Sequence, residues 1–182
     1  MAISPLSIID FWFSDRVKSQ WFASTPALDQ EIKDRYKVLW ETAAQQGLDD
    51  WCLTPLGSLA LVIVLDQFPL NMFRHQPLSF STEQQAVAVA RQAVNNQQDQ
   101  QIEQDKLAFL YMPFMHSEQL DDQDQAVALY RAAGLTHNIR FAEHHRAIIQ
   151  QYGRFPHRNA ILSRDSSEQE LAYLASDNAF TG

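Results

Sequence analysis

Three short stretches of this sequence concentrate the residue types that chemistry needs: 66–74, reading Asp-Gln-Phe-Pro-Leu-Asn-Met-Phe-Arg; 111–118, reading Tyr-Met-Pro-Phe-Met-His-Ser-Glu; and 144–159, which holds His144-His145-Arg146 and then Gly153-Arg154-Phe155-Pro156-His157-Arg158-Asn159. In the second, His116 and Glu118 offer an imidazole and a carboxylate, the partners that general acid–base catalysis uses. Both are also metal ligands by type. His-x-Glu lacks the i, i+4 spacing that sets two ligands on one helical face, so no metal and no cofactor is expected. In the third, Arg154, His157, Arg158 and Asn159 surround Pro156, where a new helix would begin and backbone N–H groups favour an anion. Two guanidinium forks there suit a carboxylate or phosphate. The competing reading is a corner whose arginines meet acids such as Asp66, Glu118 or Asp121.

Asp66 and Gln67 follow an apolar run, and unpaired polar groups at such a place lose on the order of 2 to 7 kcal/mol. Partners are therefore required. Arg74, or an arginine further downstream, is the natural one for Asp66, either as an ion pair closing the helix or as part of a pocket lined by Asp66, Asn71 and Arg74. His145 falls at the centre of the apolar face made by Phe141, Ala142, Ile148, Ile149 and Tyr152 at about 100° per residue. It is either a hydrogen-bonded core imidazole or the titratable group of a cavity.

These groups must be positioned by helices. Only five glycines occur in 182 residues, and strand-like alternation is scarce. Ile32, Tyr36, Leu39, Trp40 and Ala43 form one stripe of a helix from about Pro26 to Gly47. Leu56 to Leu65 are apolar all round behind a Thr54-Pro55 start, which predicts a buried central helix in preference to a buried strand. Ser81 with Gln84 reads as a capping box ahead of a helix that runs to Asn95-Asn96. Pro113 is expected to kink or end its helix. Further helices are expected over about 101–115, 121–133, 138–152 and 167–176, with a shorter one after Pro156, and Gly134 and Gly153 stand at helix C-termini. Trp12, Phe13, Trp21, Phe22, Trp40 and Trp51 read as core aromatics. The fold class is all-α, one domain over 1–182, with helix hairpins stacked antiparallel in a right-handed superhelix; no strict repeat near a period of about 34 is present, and a compact irregular bundle is the alternative.

Charge narrows the partners. The net charge of −8 argues against general nucleic-acid binding. It is unevenly placed: six arginines and one acid between Arg131 and Arg164 leave that stretch at +5, and the remainder at −13. No secretory signal is read at the N-terminus, and the most apolar stretch, Leu59 to Leu65, falls short of a span, so no membrane partner is expected. A lone Cys52 fits a reducing, cytoplasmic setting.

The three stretches, with Phe11-Trp12-Phe13 and Trp21-Phe22, resemble the signature blocks of the bacterial domain of unknown function 924 family across nearly the whole chain. The resemblance implies a tetratricopeptide-like helical fold and no established activity. It carries over onto Asp66, Gln67, Asn71, Arg74, Tyr111, His116, Glu118, His145, Arg154, His157, Arg158 and Asn159. Leu70 stands where the family commonly has arginine and Phe114 where it commonly has leucine, so a positive charge is missing here. Two functions follow. One is a module that binds an anionic small molecule or an acidic peptide. The other is a hydrolase-type enzyme in which His116 or His157 is the acid or base, Glu118 or Asp66 orients it, and the arginines hold an anionic substrate.

Overall fold

Hydroxyl and proline pairs open the first long elements. Ser4, Thr25 and Thr54 each precede a proline, and each side-chain oxygen accepts the N–H three residues on, at 3.3, 3.3 and 3.2 Å. They start α1 (Pro5–Trp12), α3 (Pro26–Ala44) and α4 (Pro55–Val62), with the single turn α2 (Asp15–Lys18) between the first two. The chain continues through α5 (Phe68–Met72), α6 (Glu83–Asn95), α7 (Gln104–His116), α8 (Leu120–Ala132), α9 (Thr136–Tyr152) and α10 (Glu168–Leu174). The computed structural model describes residues 3–180, so the outer ends of the expected 1–182 span lie outside the described residues; among those described there is no strand.

The central helix departs from expectation in a way that matters for the site. It does not end at Asp66. A π-helical turn over Ile63–Gln67 joins α4 to α5, with the Phe68 N–H reaching back to the Ile63 carbonyl. Pro69 has no N–H to offer the Leu65 carbonyl, and the Thr82 hydroxyl donates to that carbonyl instead, at 2.6 Å. Thr82 in turn accepts from the Trp40 indole N–H at 3.0 Å. With its hydroxyl engaged there, Thr82 leaves α6 without a side-chain cap, and the expected Ser81/Gln84 capping box does not form; Ser81 donates to Leu78 O. The whole run Pro55–Met72 is 18 residues at mean hydropathy 1.3, enough by length and composition to cross a membrane, and 78% of it is buried inside the protein. The apolar helix is thus longer than the stretch from Leu59 to Leu65 suggested.

Packing follows chain order in the second half: α6 lies on α7, α7 on α8 and α8 on α9, while α4 sits against α1, α6 and α7. One apolar cluster runs from Ile8 to Ala142. Trp12, Phe13 and Trp21 meet Phe109 of α7 with ring centroids 5.7, 5.5 and 4.5 Å away, whereas Phe22 is 82% exposed and leaves the expected aromatic core. A second, small cluster of Ile148, Ile149 and Phe155 packs with Tyr152, Tyr173 and Phe180. Gly153 closes α9 at φ 70°, a left-handed conformation that glycine adopts without a Cβ penalty. Pro113 neither ends nor breaks α7, which runs on to His116.

Candidate functional site

The π turn sets Asp66 on the inward side of the central helix, 4% exposed, where the end of α7 meets it. His116 is the last residue of α7, and its Nδ1 stands 3.0 Å from both carboxylate oxygens of Asp66. A carboxylate only accepts, so the imidazole proton is assigned to Nδ1, which leaves the Nε2 lone pair free. Nε2 has no hydrogen-bond partner among the described residues, and the His116 side chain is 18% exposed. Gln67 adds its amide N–H to Asp66 and also touches Met112 Sδ at 3.2 Å. The pairing of Asp66 with Arg74 is overturned: Arg74 lies elsewhere, and imidazole and amide are the donors.

The carbonyls that α7 leaves unpaired at its end are capped from outside. Gln123 donates to Met115 O and Ser117 O, both at 2.7 Å. The His116 carbonyl receives Arg158 Nη2 at 2.9 Å, while Arg158 Nη1 holds Glu83 Oε2 at 2.8 Å. Arg158 is buried, its guanidinium 4.5 Å from the Phe80 ring centroid and 4.7 Å from that of Phe155. Glu83 opens α6 and was missed from sequence, because an acid in a first helical turn reads as an ordinary dipole partner. Burial pushes its carboxyl above the usual range and Asp66 adds to that, against the pull of Arg158 and His116.

The remaining expected residues separate. Glu118 does not pair with His116: its carboxylate accepts Arg164 at 2.7 and 3.0 Å and the Phe155 N–H at 2.8 Å. Burial acts upward on Glu118, but those donors outweigh it and hold the carboxyl low. Arg154 grips Glu170 at 2.7 and 2.9 Å, and this holds the Glu170 carboxyl down at about 2. Asn159 donates to Ser166 Oγ. Tyr111 is buried on α7, burial pushes its phenol up, and its hydroxyl donates to Asp99 at 2.8 Å. Asn71 and Arg74 converge on Asp29 of α3.

His145 does point inward, 4% exposed, with Nδ1 2.8 Å from Phe141 O. Burial, opposed by the bond to Phe141 O and aided by the neighbouring histidines 116, 144 and 157, lowers it to about 3, so it is a neutral imidazole. His157 is half-buried beside Phe180, and burial together with Arg158 lowers it to about 4. The 153–159 corner therefore does reach the Asp66–His116 pair, through Arg158. Two surface clefts lie apart from it: one between α8 and α9, crossed by the Arg131–Glu143 and Arg146–Asp124 ion pairs, and one beside His144 and Tyr173. Neither is lined by His116 or Asp66.

A family model described as bacterial protein of unknown function (DUF924) matches residues 8–178. A solved structure of a protein of unknown function from Agrobacterium tumefaciens is similar over 94% of this chain and 96% of its own, at 36% identity and a TM-score of 0.89. No curated protein matches.

Proposed function

We propose, for a chain that belongs to the DUF924 family of bacterial proteins, that Asp66 and His116 are the working pair of a hydrolase-type enzyme. His116 Nε2 is the general base toward water, and Asp66 fixes the tautomer and orientation that leave that nitrogen free. The observation that carries this reading is the contact of Nδ1 with both oxygens of a buried carboxylate, beside an Nε2 without a partner among the described residues. His157 is the weaker choice for the acid or base, since it has no carboxylate to orient it in the hydrogen-bond network of the described residues.

The other sequence reading, an anionic small molecule or acidic peptide held by Arg154, Arg158, His157 and Asn159, draws less support. The guanidinium forks of Arg154 and Arg158 already face Glu170 and Glu83, which a ligand would have to displace. Around the pair we read a right-handed stack of helix hairpins of tetratricopeptide kind, one domain, acting in the bacterial cytoplasm. The chain-order packing of α6 through α9 and the unpaired, buried Cys52 support that reading.

Hydrolysis of p-nitrophenyl acetate tests the proposal, because this activated ester yields even to free imidazole and so demands little of the binding site. His116→Gln is expected to lower the rate by about 100-fold or more, and Asp66→Asn to lower it as well, with the His116→Gln melting temperature preserved. Equal rates for the wild type and His116→Gln would overturn it.

A further inference from the structure

The buried charges around the pair do not balance. Asp66 and Glu83 bring two carboxylates, and Arg158 brings one guanidinium. Glu118 is neutralised by Arg164 on the far side of the corner. His145 of α9 and His157 of the corner are held neutral, as described above. Tyr130 of α8, fully buried, donates to Ala108 O, and burial together with Asp66 pushes its phenol up, so it brings no charge. What remains is one negative charge in a region of low polarity, where such a charge is costly and a proton is the simplest remedy. The Asp66 oxygens already accept the His116 and Gln67 N–H groups, which leaves Glu83 and His116 Nε2 as the places to take it up.

We propose that Glu83 and His116 hold one proton between them, with Arg158 as the bridge that keeps them side by side, so that Glu83 sets whether His116 stands ready as base or as acid. One guanidinium holds the Glu83 carboxylate with Nη1 and the main-chain carbonyl of His116 with Nη2, both within 3 Å, so it keeps the two residues side by side and their charges act on each other through space. Phe80 and Phe155 flank that guanidinium and keep it from swinging to other partners. Glu83 is only 13% exposed along its side chain, so water screens its charge poorly. The upward push on its carboxyl agrees with this arrangement.

The two forms carry the same total charge. In one, the Glu83 carboxyl keeps its O–H bond and His116 is neutral, with the Nε2 lone pair available to take a proton from water. In the other, the Glu83 O–H bond has been broken, its proton has gone to solvent, and His116 Nε2 has gained an N–H bond from solvent; the imidazolium is then a proton donor. A hydrolytic cycle needs both states of the histidine, first to deprotonate water and then to protonate the leaving group. Glu83 is a positioning residue in this scheme. It touches no reacting atom and acts on His116 through space, held beside it by Arg158.

The inference rests on the reading of Asp66–His116 as the working pair, and the test separates the two. In the full chain, the Glu83 carboxyl carbon and the His116 ring are followed by NMR across the pH range. Coupled groups share inflections, so each signal is expected to move in two steps at common pH values. In Glu83→Gln the His116 curve should lose the inflection it shares with Glu83 and move to lower pH, since a nearby negative charge is gone. A Glu83 carboxyl titrating in one step apart from His116 would overturn the sharing, and so would a His116 curve left unmoved by Glu83→Gln. Should Glu83→Gln fail to fold, because Arg158 loses its partner, the wild-type Glu83 curve alone decides. Asp66→Asn gives the independent arm: if it leaves the His116 ring shifts unchanged, the pair itself is wrong, whatever Glu83 does.

Discussion

Residues 66–74 run from the π turn through α5 and into the turn after it, and the two ends of this stretch serve a carboxylate in opposite ways. At the outer end, Asn71 and Arg74 donate to Asp29, Asn71 at 2.7 Å and Arg74 at 2.8 and 3.1 Å, and Ser24 adds a fourth bond at 2.7 Å. Burial raises the Asp29 carboxyl, but the Arg74, Asn71 and Ser24 bonds outweigh it and the carboxyl is held low. At the inner end, Asp66 has among the described residues an imidazole and an amide as donors and no guanidinium. A carboxylate saturated by permanent donors is a clip that fastens α5 to α3. One that leans on an imidazole is held by a group able both to give and to take a proton. On the proposed reading of Asp66 and His116, that difference, more than the presence of charged residues, distinguishes the acid–base pair from a structural corner.

The largest expected effect breaks the inner end. Arg158→Ala leaves Glu83 buried without its cation and leaves the His116 carbonyl uncapped, and breaking a buried pair from one side costs about 3 to 5 kcal/mol. Urea unfolding at neutral pH measures it. A loss below about 1 kcal/mol, the value for an exposed pair, would show that the two ends are energetically alike and that the contrast has no basis.

Acid separates the two ends next. His145 and His157 are held neutral down to about 3 and about 4, below the ordinary histidine value of about 6.5. In that window the unfolded chain binds more protons than the folded one, so stability falls as pH drops below about 6.5, by up to about 1.4 kcal/mol per pH unit for each histidine. Asp29 has the opposite timing: its depressed carboxyl keeps its contribution until pH reaches the ordinary aspartate range near about 4, and loses it below. Unfolding free energies at a series of pH values should therefore decline first through the histidines, and His145→Gln should flatten that limb. A plateau from about 6.5 to about 4.5 in the wild type would mean the histidines are wet.

How far the sequence reveals this contrast depends on how local each signal is. The Pro26 helix, the Thr54-Pro55 start, the glycine caps at 134 and 153 and the inward direction of His145 all follow from periodicity or from neighbours within four residues. The partner of Asp66 does not. Arg74 follows Asp66 closely enough to look like its partner, but the π turn sets Asp66 inward and the helix runs on to Met72, so that Arg74, in the turn beyond it, meets Asp29 of α3. His116 and Glu118 are two residues apart, yet α7 ends between them and sends their side chains to different partners. Glu83 and Arg158 are 75 residues apart, and no local pattern announces that they meet.

The smallest effect sharpens the comparison from the outer end. Arg74 is 45% exposed along its side chain, so its pairing with Asp29 is screened by water and by salt. Asp29 also keeps Asn71 and Ser24 when the guanidinium is removed, so it is not left unpaired. Arg74→Ala should cost no more than about 1 kcal/mol at low salt and less as salt is raised, whereas the Arg158→Ala deficit should be nearly insensitive to salt because Arg158 is buried and little of Glu83 reaches water. Ester hydrolysis should be untouched by Arg74→Ala. A salt-independent loss of several kcal/mol at Arg74, or a fall in hydrolysis comparable to that of His116→Gln, would place the outer end within the working site and remove the division between clip and acid–base pair.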